Sequence, residues 1–318
     1  MALFKRINKK AKAEDNTGFG SNANNYGGRF LNKNGNPNVQ KIGIGFFDSI
    51  SWYHTMLKIP RWKFFFIILL FYFIVNLFFA TIYSLIGVEH LIGITSTTRI
   101  EKFGQAFFFS IQTFTTVGYG HISPSGFATS FVASVEALLG LLSFAIATGL
   151  FYGRFSKPKA FLLFSTHAII APYKEGRAFM IRMVPHKNAN LTDAEAKITL
   201  GISTEENGVV ANKFYNLNLE IEKISALTLS WTLVHPITED SPLYGLQQED
   251  FQQATGEFIV FIKAFDDMFS STVVKRTSYT FDEVVYGAQF VSMFYKNATN
   301  SKTILDISRL NLTEKVTL

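Results

Sequence analysis

The first half of the chain sets long apolar stretches between polar ones, and the second half breaks into short apolar runs. Phe64 to Ile86 carries no formal charge. At about 1.5 Å per residue it reaches roughly 35 Å, enough to cross a bilayer with some tilt. Phe127 to Phe155 is a second such stretch, interrupted by Gly140 and Gly149, with a span predicted over about 127–153. Between them Glu89 to Lys102 reads as a polar loop. Phe103 to Thr115 is apolar and aromatic but only about 13 residues long, too short to span, so it predicts a re-entrant helix. The carbonyl end of such a helix, aimed into the membrane, favours a cation. Before the first span, Phe47, Ile50, Tyr53 and Leu57 recur at helical spacing among polar residues. That pattern predicts an interfacial helix within 42–60, ended by Pro60. Trp62 and Tyr83 are expected as interfacial anchors of the first span.

From Phe161 onward the period changes. Runs at 179–184, 196–202, 214–221, 227–234, 257–265 and 271–281 alternate with turn residues such as Pro185-His186-Lys187-Asn188 and Glu205-Glu206-Asn207-Gly208. Strands at this spacing predict an antiparallel sandwich. Residues 1–41 are rich in Asn, Gly and Lys with no apolar period, which predicts disorder. The division is therefore 1–41 disordered, 42–60 interfacial helix, 61–155 membrane domain and 156–318 β-sandwich.

Composition agrees with a membrane protein carrying a sizeable soluble part: 48% of the 318 residues are hydrophobic, with 34 Phe. The chain has no cysteine, so disulfides, thiolate metal sites and thiol nucleophiles are excluded. The net charge of +6 raises nucleic acid as a partner. The basic residues, however, crowd the N-terminus and the span flanks, which reads as topology and lipid contact with no nucleic acid. Arg61 and Lys63 flank the first span, and Arg154, Lys157 and Lys159 follow the second. The positive-inside rule then places both termini in the cytoplasm of a cell-membrane protein. These five residues are also the candidate contacts for anionic lipid. Lys5, Arg6, Lys9, Lys10 and Lys12 have no apolar run behind them, so they form no secretory signal.

The chemistry lies between the spans, in Thr116-Val117-Gly118-Tyr119-Gly120, preceded by Thr115. Gly118 and Gly120 can take backbone conformations that a Cβ resists. Successive carbonyls can then line one side of a narrow path, with a Thr116 hydroxyl at its inner end. Four copies around an axis would replace the hydration shell of a potassium ion at Thr116, Val117, Gly118 and Tyr119. One chain supplies one carbonyl column, so the argument itself requires a homotetramer. The run resembles the selectivity-filter signature of potassium channels.

The second half narrows the resemblance. Trp231 to Gly245 (WTLVHPITEDSPLYG), Phe164 to Pro172 (FSTHAIIAP) and Arg154 to Lys159 (RFSKPK) resemble stretches of inward-rectifier potassium channels, most of all the bacterial members. The likeness runs from about Phe47 to residue 312. It implies a two-span pore domain with a re-entrant pore helix, an immunoglobulin-like cytoplasmic sandwich that extends the pore, and a tetramer without a cofactor. It further implies a gate near Tyr152 with Phe151 beside it. A second constriction is implied in the loop from Ala264 to Ser271, and the cytoplasmic pore acids fall at Asp193, Asp266 and Asp267. Phosphoinositides and other anionic lipids are implied as regulators, and magnesium, barium or polyamines as blockers.

The chain also departs from the family. Where many relatives pair Glu behind the filter with Arg after it, Gln112 and Ile122 stand here. His121 replaces an Asp common in bacterial members. The cavity position that is acidic in strong rectifiers is Phe144, which predicts weak rectification. Glu136 is the only formal charge in the second span before Arg154. A carboxylate there costs about 2.5 to 3.5 kcal/mol on insertion scales, so it faces the bundle interior or the back of the filter. With Phe144 it is assigned to the cavity, either tuning the filter or serving as a hydrogen-bonded structural carboxylate. Gly140 and Gly149 allow bending or close helix packing.

Two other functions compete. A membrane-tethered binding module would use the spans only as an anchor, but a tether needs neither the filter run nor a re-entrant helix. A poorly selective cation channel would share the whole sequence pattern. An enzyme finds no Gly-rich phosphate loop after a strand and no His, Asp and Glu cluster at ligand spacing.

Overall fold

The computed structural model describes residues 8, 10–13, 29–43, 45, 51–187, 190–206, 209–297 and 301–318. The chain forms two compact units, Ile42–Lys157 and the combination of Met1–Lys41 with Pro158–Leu318.

The first unit is helical. A short helix, α1 (Trp52–Lys58), precedes α2 (Arg61–Ile86), which starts after Pro60. Pro60 lacks the N–H that a first helical turn leaves unpaired, so it starts a helix at little cost. Within the segment 42–60 a helix is seen from Trp52; Phe47 and Ile50 lie outside the described residues. Helix α2 buries Asn76, Phe79, Ala80 and Tyr83, a stripe at helical spacing, and leaves most of its other apolar residues exposed. Helix α3 (Arg99–Phe114) is one turn longer than the sequence suggests. Thr98 caps it by accepting the N–H of Glu101 at 3.3 Å, so residues 99–102 are helical rather than loop. Helix α4 (Phe127–Phe155) buries Thr129, Ala133, Glu136 and Gly140 along one face. By length and composition α2 and α4 are the two helices among the described residues able to cross a membrane. Strands β1 (Leu91–Ile92) and β2 (Ser123–Pro124) pair antiparallel and tie the segment before α3 to the one after the filter run.

The second unit is a sandwich of two five-stranded sheets. The strands are β3 (Leu162–Phe164), β4 (Ala168–Tyr173), β5 (Gly176–Pro185), β6 (Leu191–Glu206), β7 (Val209–Leu217), β8 (Lys223–Leu227), β9 (Trp231–Pro236), β10 (Gly256–Asp266), β11 (Ser271–Thr280) and β12 (Val284–Tyr286). One sheet runs β11-β10-β6-β7 with β8 on the early part of β6; the other runs β12-β4-β5-β3 with β9 on β5. The core lies between them, where Phe179 of one sheet stacks on Phe258 of the other at 4.1 Å. Two features differ from a plain antiparallel reading. The run 227–234 is not one strand: β8 ends at Leu227 in the first sheet and β9 starts at Trp231 in the second, because the intervening residues carry the chain across the sandwich. And β12 pairs with β4 in parallel.

The carboxyl-terminal segment adds β13 (Ala288–Phe290), β14 (Phe294–Lys296), β15 (Thr303–Leu305) and β16 (Thr313–Lys315) in two two-stranded sheets, β13 with β16 and β14 with β15. Buried Arg182 pins this segment by donating to the carbonyls of Arg309 and Leu310 at 2.8 and 2.9 Å and to that of Val291. Burial pushes its guanidinium down to about 10.

The expectation of disorder over 1–41 does not hold for residues 29–38. Phe30 and Leu31 are buried against Phe214 and Ile259. Their backbone N–H groups both donate to the buried carboxylate of Glu257. Arg29 reaches Glu283 at 2.8 Å, and Lys33 reaches it at 3.0 Å. Composition overlooks this strap because backbone groups make its central contacts.

Candidate functional site

Helix α3 ends at Phe114, and the filter run turns back tightly on its last turn. Thr116 N–H donates to the carbonyl of Thr113 at 3.0 Å; Val117 and Gly118 N–H both donate to the carbonyl of Gln112, at 2.9 and 3.2 Å. Thr116, Gly118 and Gly120 have φ of 58°, 52° and 81°, while Val117 and Tyr119 do not take positive φ. Glycine takes this left-handed region freely, whereas Thr116 is a β-branched exception held there by its surroundings. A strict alternation of hand turns successive N–H groups to one side of the strand and leaves the carbonyls on the other. Beyond the run, Ser125 N–H donates to the carbonyl of His90 at 2.8 Å. Gly93 sits so close to the His121 carbonyl that any side chain there would overlap it. The segments either side of the filter are therefore braced against each other.

Beside the last turns of α3 lies a polar cluster drawn from α2, α3 and α4. Glu136 of α4 is completely buried, as are Asn76 and Tyr83 of α2 and Ser110 of α3. The Tyr83 hydroxyl donates to Glu136 Oε2 at 2.6 Å. Ser110 Oγ lies within hydrogen-bonding reach of both Glu136 Oε1 and Asn76 Oδ1, the latter at 3.0 Å. Asn76 Nδ2 donates to the Tyr72 carbonyl at 2.7 Å. Two expectations change here. Glu136 is enclosed within one chain, so it does not face the cavity. Tyr83 is not an interfacial anchor, because its hydroxyl has a buried partner.

Just below, Gly140 of α4 abuts the Phe114 carbonyl, and a Cβ there would overlap that backbone. Gly149 meets no such neighbour. Phe144, one turn below Gly140, is 73% exposed.

At the far end of α4 the helix is joined to α1. Arg154 donates to the carbonyls of Met56 and Ile59 at 2.9 and 2.5 Å, and its guanidinium lies over the Phe64 ring at 4.9 Å. The Met56 and Ile59 carbonyls belong to the end of α1, which carries the negative end of its dipole. Gly153 sits against Tyr53 and Leu57 of α1. Phe151 packs on Phe64 at 5.1 Å between ring centres, whereas Tyr152 is 75% exposed. Arg61, Lys63 and Lys157 are exposed, as is Lys159 at the start of the second unit.

Residues 162–318 match the family model described as the inward rectifier potassium channel C-terminal domain, and residues 62–157 match a model described as ion channel. Inward rectifier potassium channel Kirbac3.1 of Paramagnetospirillum magnetotacticum is 31% identical over 287 residues, covering 89% of this chain and 95% of that protein. The chain belongs to the inward rectifier potassium channel family. It is a potassium channel subunit of the membrane, with potassium as the permeant ion. G protein-activated inward rectifier potassium channel 1 of Bos taurus and of Homo sapiens are each 28% identical over 286 residues, which is 82% of this chain and 56% of theirs.

The three acids that the resemblance assigns to a cytoplasmic pore do not form one set. Asp193 is exposed with a φ of 46°. Asp267 is exposed and accepts from Asn190 at 2.6 Å and Thr192 at 2.9 Å. Asp266 is buried and caps its own turn, accepting the N–H of Met268 at 3.0 Å. It is therefore a turn-forming residue rather than a free pore acid: the loop needs an acceptor for the two N–H groups that follow it. The polar cluster of Asn76, Tyr83 and Ser110 was not singled out in the sequence. The signal available was the stripe Thr129, Ala133, Glu136 and Gly140, too small or polar for a lipid-facing surface.

Proposed function

We propose that four copies of this chain form a potassium-selective pore in which Thr116 to Gly120 replace the hydration shell of the ion. The observation that carries this is the alternation of positive φ at Thr116, Gly118 and Gly120 directly after the carbonyl end of α3. Tyr119, 78% exposed in the single chain, belongs to a face that the neighbouring copy covers. A second copy accounts for such exposure better than lipid does, since a phenol hydroxyl needs a partner away from water.

Of the two aromatic residues at the inner end, Tyr152 is the one free to reach the axis, and four such rings close the pore by dewetting. Gly149 is the hinge that lets α4 bend, and Gly140 a close-packing point. Both termini lie in the cytoplasm, following the basic flanks of the spans. Anionic lipid acts through Arg61, Lys63 and Lys157, with Lys159 following in the chain. Each exposed basic residue near an anionic surface contributes about 1 kcal/mol. Arg154 acts differently, as a fastener between α4 and α1, because backbone carbonyls already hold its guanidinium.

The test is Gly118→Val in purified, reconstituted protein. A β-branched residue at φ 52° should abolish selective potassium flux while the assembled protein keeps its size. Unchanged selectivity would remove the filter from this run. For the lipid contacts, Lys63→Gln with Lys157→Gln should weaken the flux response to added anionic lipid; an unaltered response would mean that these residues only set topology.

A further inference from the structure

We propose that Glu136 works as a hydrogen-bond donor, in its neutral acid form, at the head of a one-way chain of hydrogen bonds that fixes the pore helix α3 against α2. This deepens the reading of residues 116–120 as the selectivity filter and rests on it.

Counting protons leads to it. Asn76 Nδ2 lies 2.7 Å from the Tyr72 carbonyl. A carbonyl accepts, so the NH2 half of the amide faces it and Oδ1 faces the other way. Oδ1 lies 3.0 Å from Ser110 Oγ and needs a proton from it. A serine hydroxyl has one proton. Ser110 Oγ is also in contact with Glu136 Oε1. With its proton directed to Asn76, Ser110 accepts at that second contact, and the proton there belongs to Glu136. The Tyr83 hydroxyl completes the set by donating to the remaining oxygen, Oε2, at 2.6 Å.

The polarity therefore runs from Glu136 through Ser110 and Asn76 to the Tyr72 carbonyl, and each contact along the chain pairs one donor with one acceptor. An ionised Glu136 would take Ser110's proton and leave Asn76 Oδ1 against an oxygen lone pair, with no donor for either. All four side chains are fully buried within one chain, so neither solvent nor a neighbouring copy supplies another proton. Lone buried polar groups of this kind are costly, which is why the consistent arrangement wins.

The consequence reaches the filter through α3. Ser110 lies two residues before Gln112, whose carbonyl takes the N–H groups of Val117 and Gly118. A pore helix free to shift at Ser110 shifts the carbonyl on which the filter backbone is folded. Glu136 is thus a positioning residue for selectivity.

The experiment has a spectroscopic arm and a functional arm, both on the full-length channel in lipid at neutral pH. The infrared difference between wild type and Glu136→Gln should show loss of a protonated carboxyl C=O band. Loss of a carboxylate band in its place overturns the proposal. In flux measurements Glu136→Gln should keep the wild-type potassium-to-sodium ratio, because its amide still donates to Ser110 and accepts from Tyr83. Glu136→Leu and Ser110→Ala should lower that ratio by about tenfold in protein that keeps its assembled size. If the leucine variant does not assemble, Ser110→Ala carries the arm alone. Equal ratios in Ser110→Ala and wild type, or an equal fall in the Gln and Leu variants, overturn the positioning role. A wild type that passes sodium as readily as potassium overturns the filter reading itself, and the infrared arm still decides the state of Glu136.

Discussion

Gly140 on α4 lies directly against the backbone carbonyl of Phe114, the last residue of the pore helix. The inner span and the pore helix touch here without any side chain between them. Gly149, nine residues on, has open space around it. The two glycines that interrupt the second span therefore have different physical roles. Gly140→Ala should disturb the pore helix, seen as a lower unfolding temperature together with reduced potassium flux. Gly149→Ala should leave folding intact or raise helix stability by up to about 1 kcal/mol, while making opening harder. Thermal unfolding and flux on both variants separate the two; the same behaviour in both would remove the distinction.

The strap at residues 29–38 should contribute measurably to the stability of the sandwich. Leu31→Ala removes a buried side chain and should cost about 2 to 5 kcal/mol if the site cannot collapse. Glu257→Ala leaves two buried N–H groups of Phe30 and Leu31 without a partner and should cost roughly 1 to 3 kcal/mol. Denaturant unfolding of the full-length protein measures both. Values near zero would mean that the strap detaches readily.

His235 offers a pH test. It is buried, with Nδ1 2.7 Å from the Asn218 carbonyl and Nε2 2.7 Å from Ser241 Oγ. Burial lowers its pKa, partly offset by the bond to the Asn218 carbonyl. The folded state thus binds its proton less readily than the unfolded chain does. The stability this gives is complete above the unfolded value of about 6.5 and declines as pH falls below it toward the folded value. Unfolding temperature should therefore drop between pH 7 and pH 5 more in wild type than in His235→Gln. Parallel pH profiles would assign the acid sensitivity elsewhere.

Phe144 is exposed on α4, at the position proposed to face a cavity blocker, and Glu136 is buried among α2, α3 and α4. With no carboxylate at either position facing the axis, intracellular polyamines should block the channel weakly and with shallow voltage dependence. Phe144→Asp adds four charges around the axis of a tetramer and should deepen the block markedly. Steep polyamine block in the unmodified channel, recorded in planar bilayers, would contradict this.

Much of this organisation is legible in the sequence, because its causes are local or compositional. Uncharged length identifies Phe64 to Ile86, and Gly118 and Gly120 mark a run that needs positive φ. What escapes is set by tertiary partners. Tyr83 looks like an anchor near the end of a span until Glu136 is placed beside it. Asp266 looks like a free acid until the N–H groups of Met268 and Phe269 turn back on it. Phe30 and Leu31 are two apolar residues in a polar run, too few to show a period, and Glu257 lies far from them in sequence. The first turn of α3 was readable in principle, since Thr98 followed by Glu101 is a helix-start signature within a stretch that otherwise reads as loop.

The central claim is that Thr116 to Gly120 select potassium. The most direct measurement is flux through the purified full-length protein in liposomes, with potassium and sodium compared under the same gradient and barium added as blocker. Selective conduction predicts rapid potassium flux that barium stops, and little sodium flux at the same protein density. Equal flux of the two ions would contradict it.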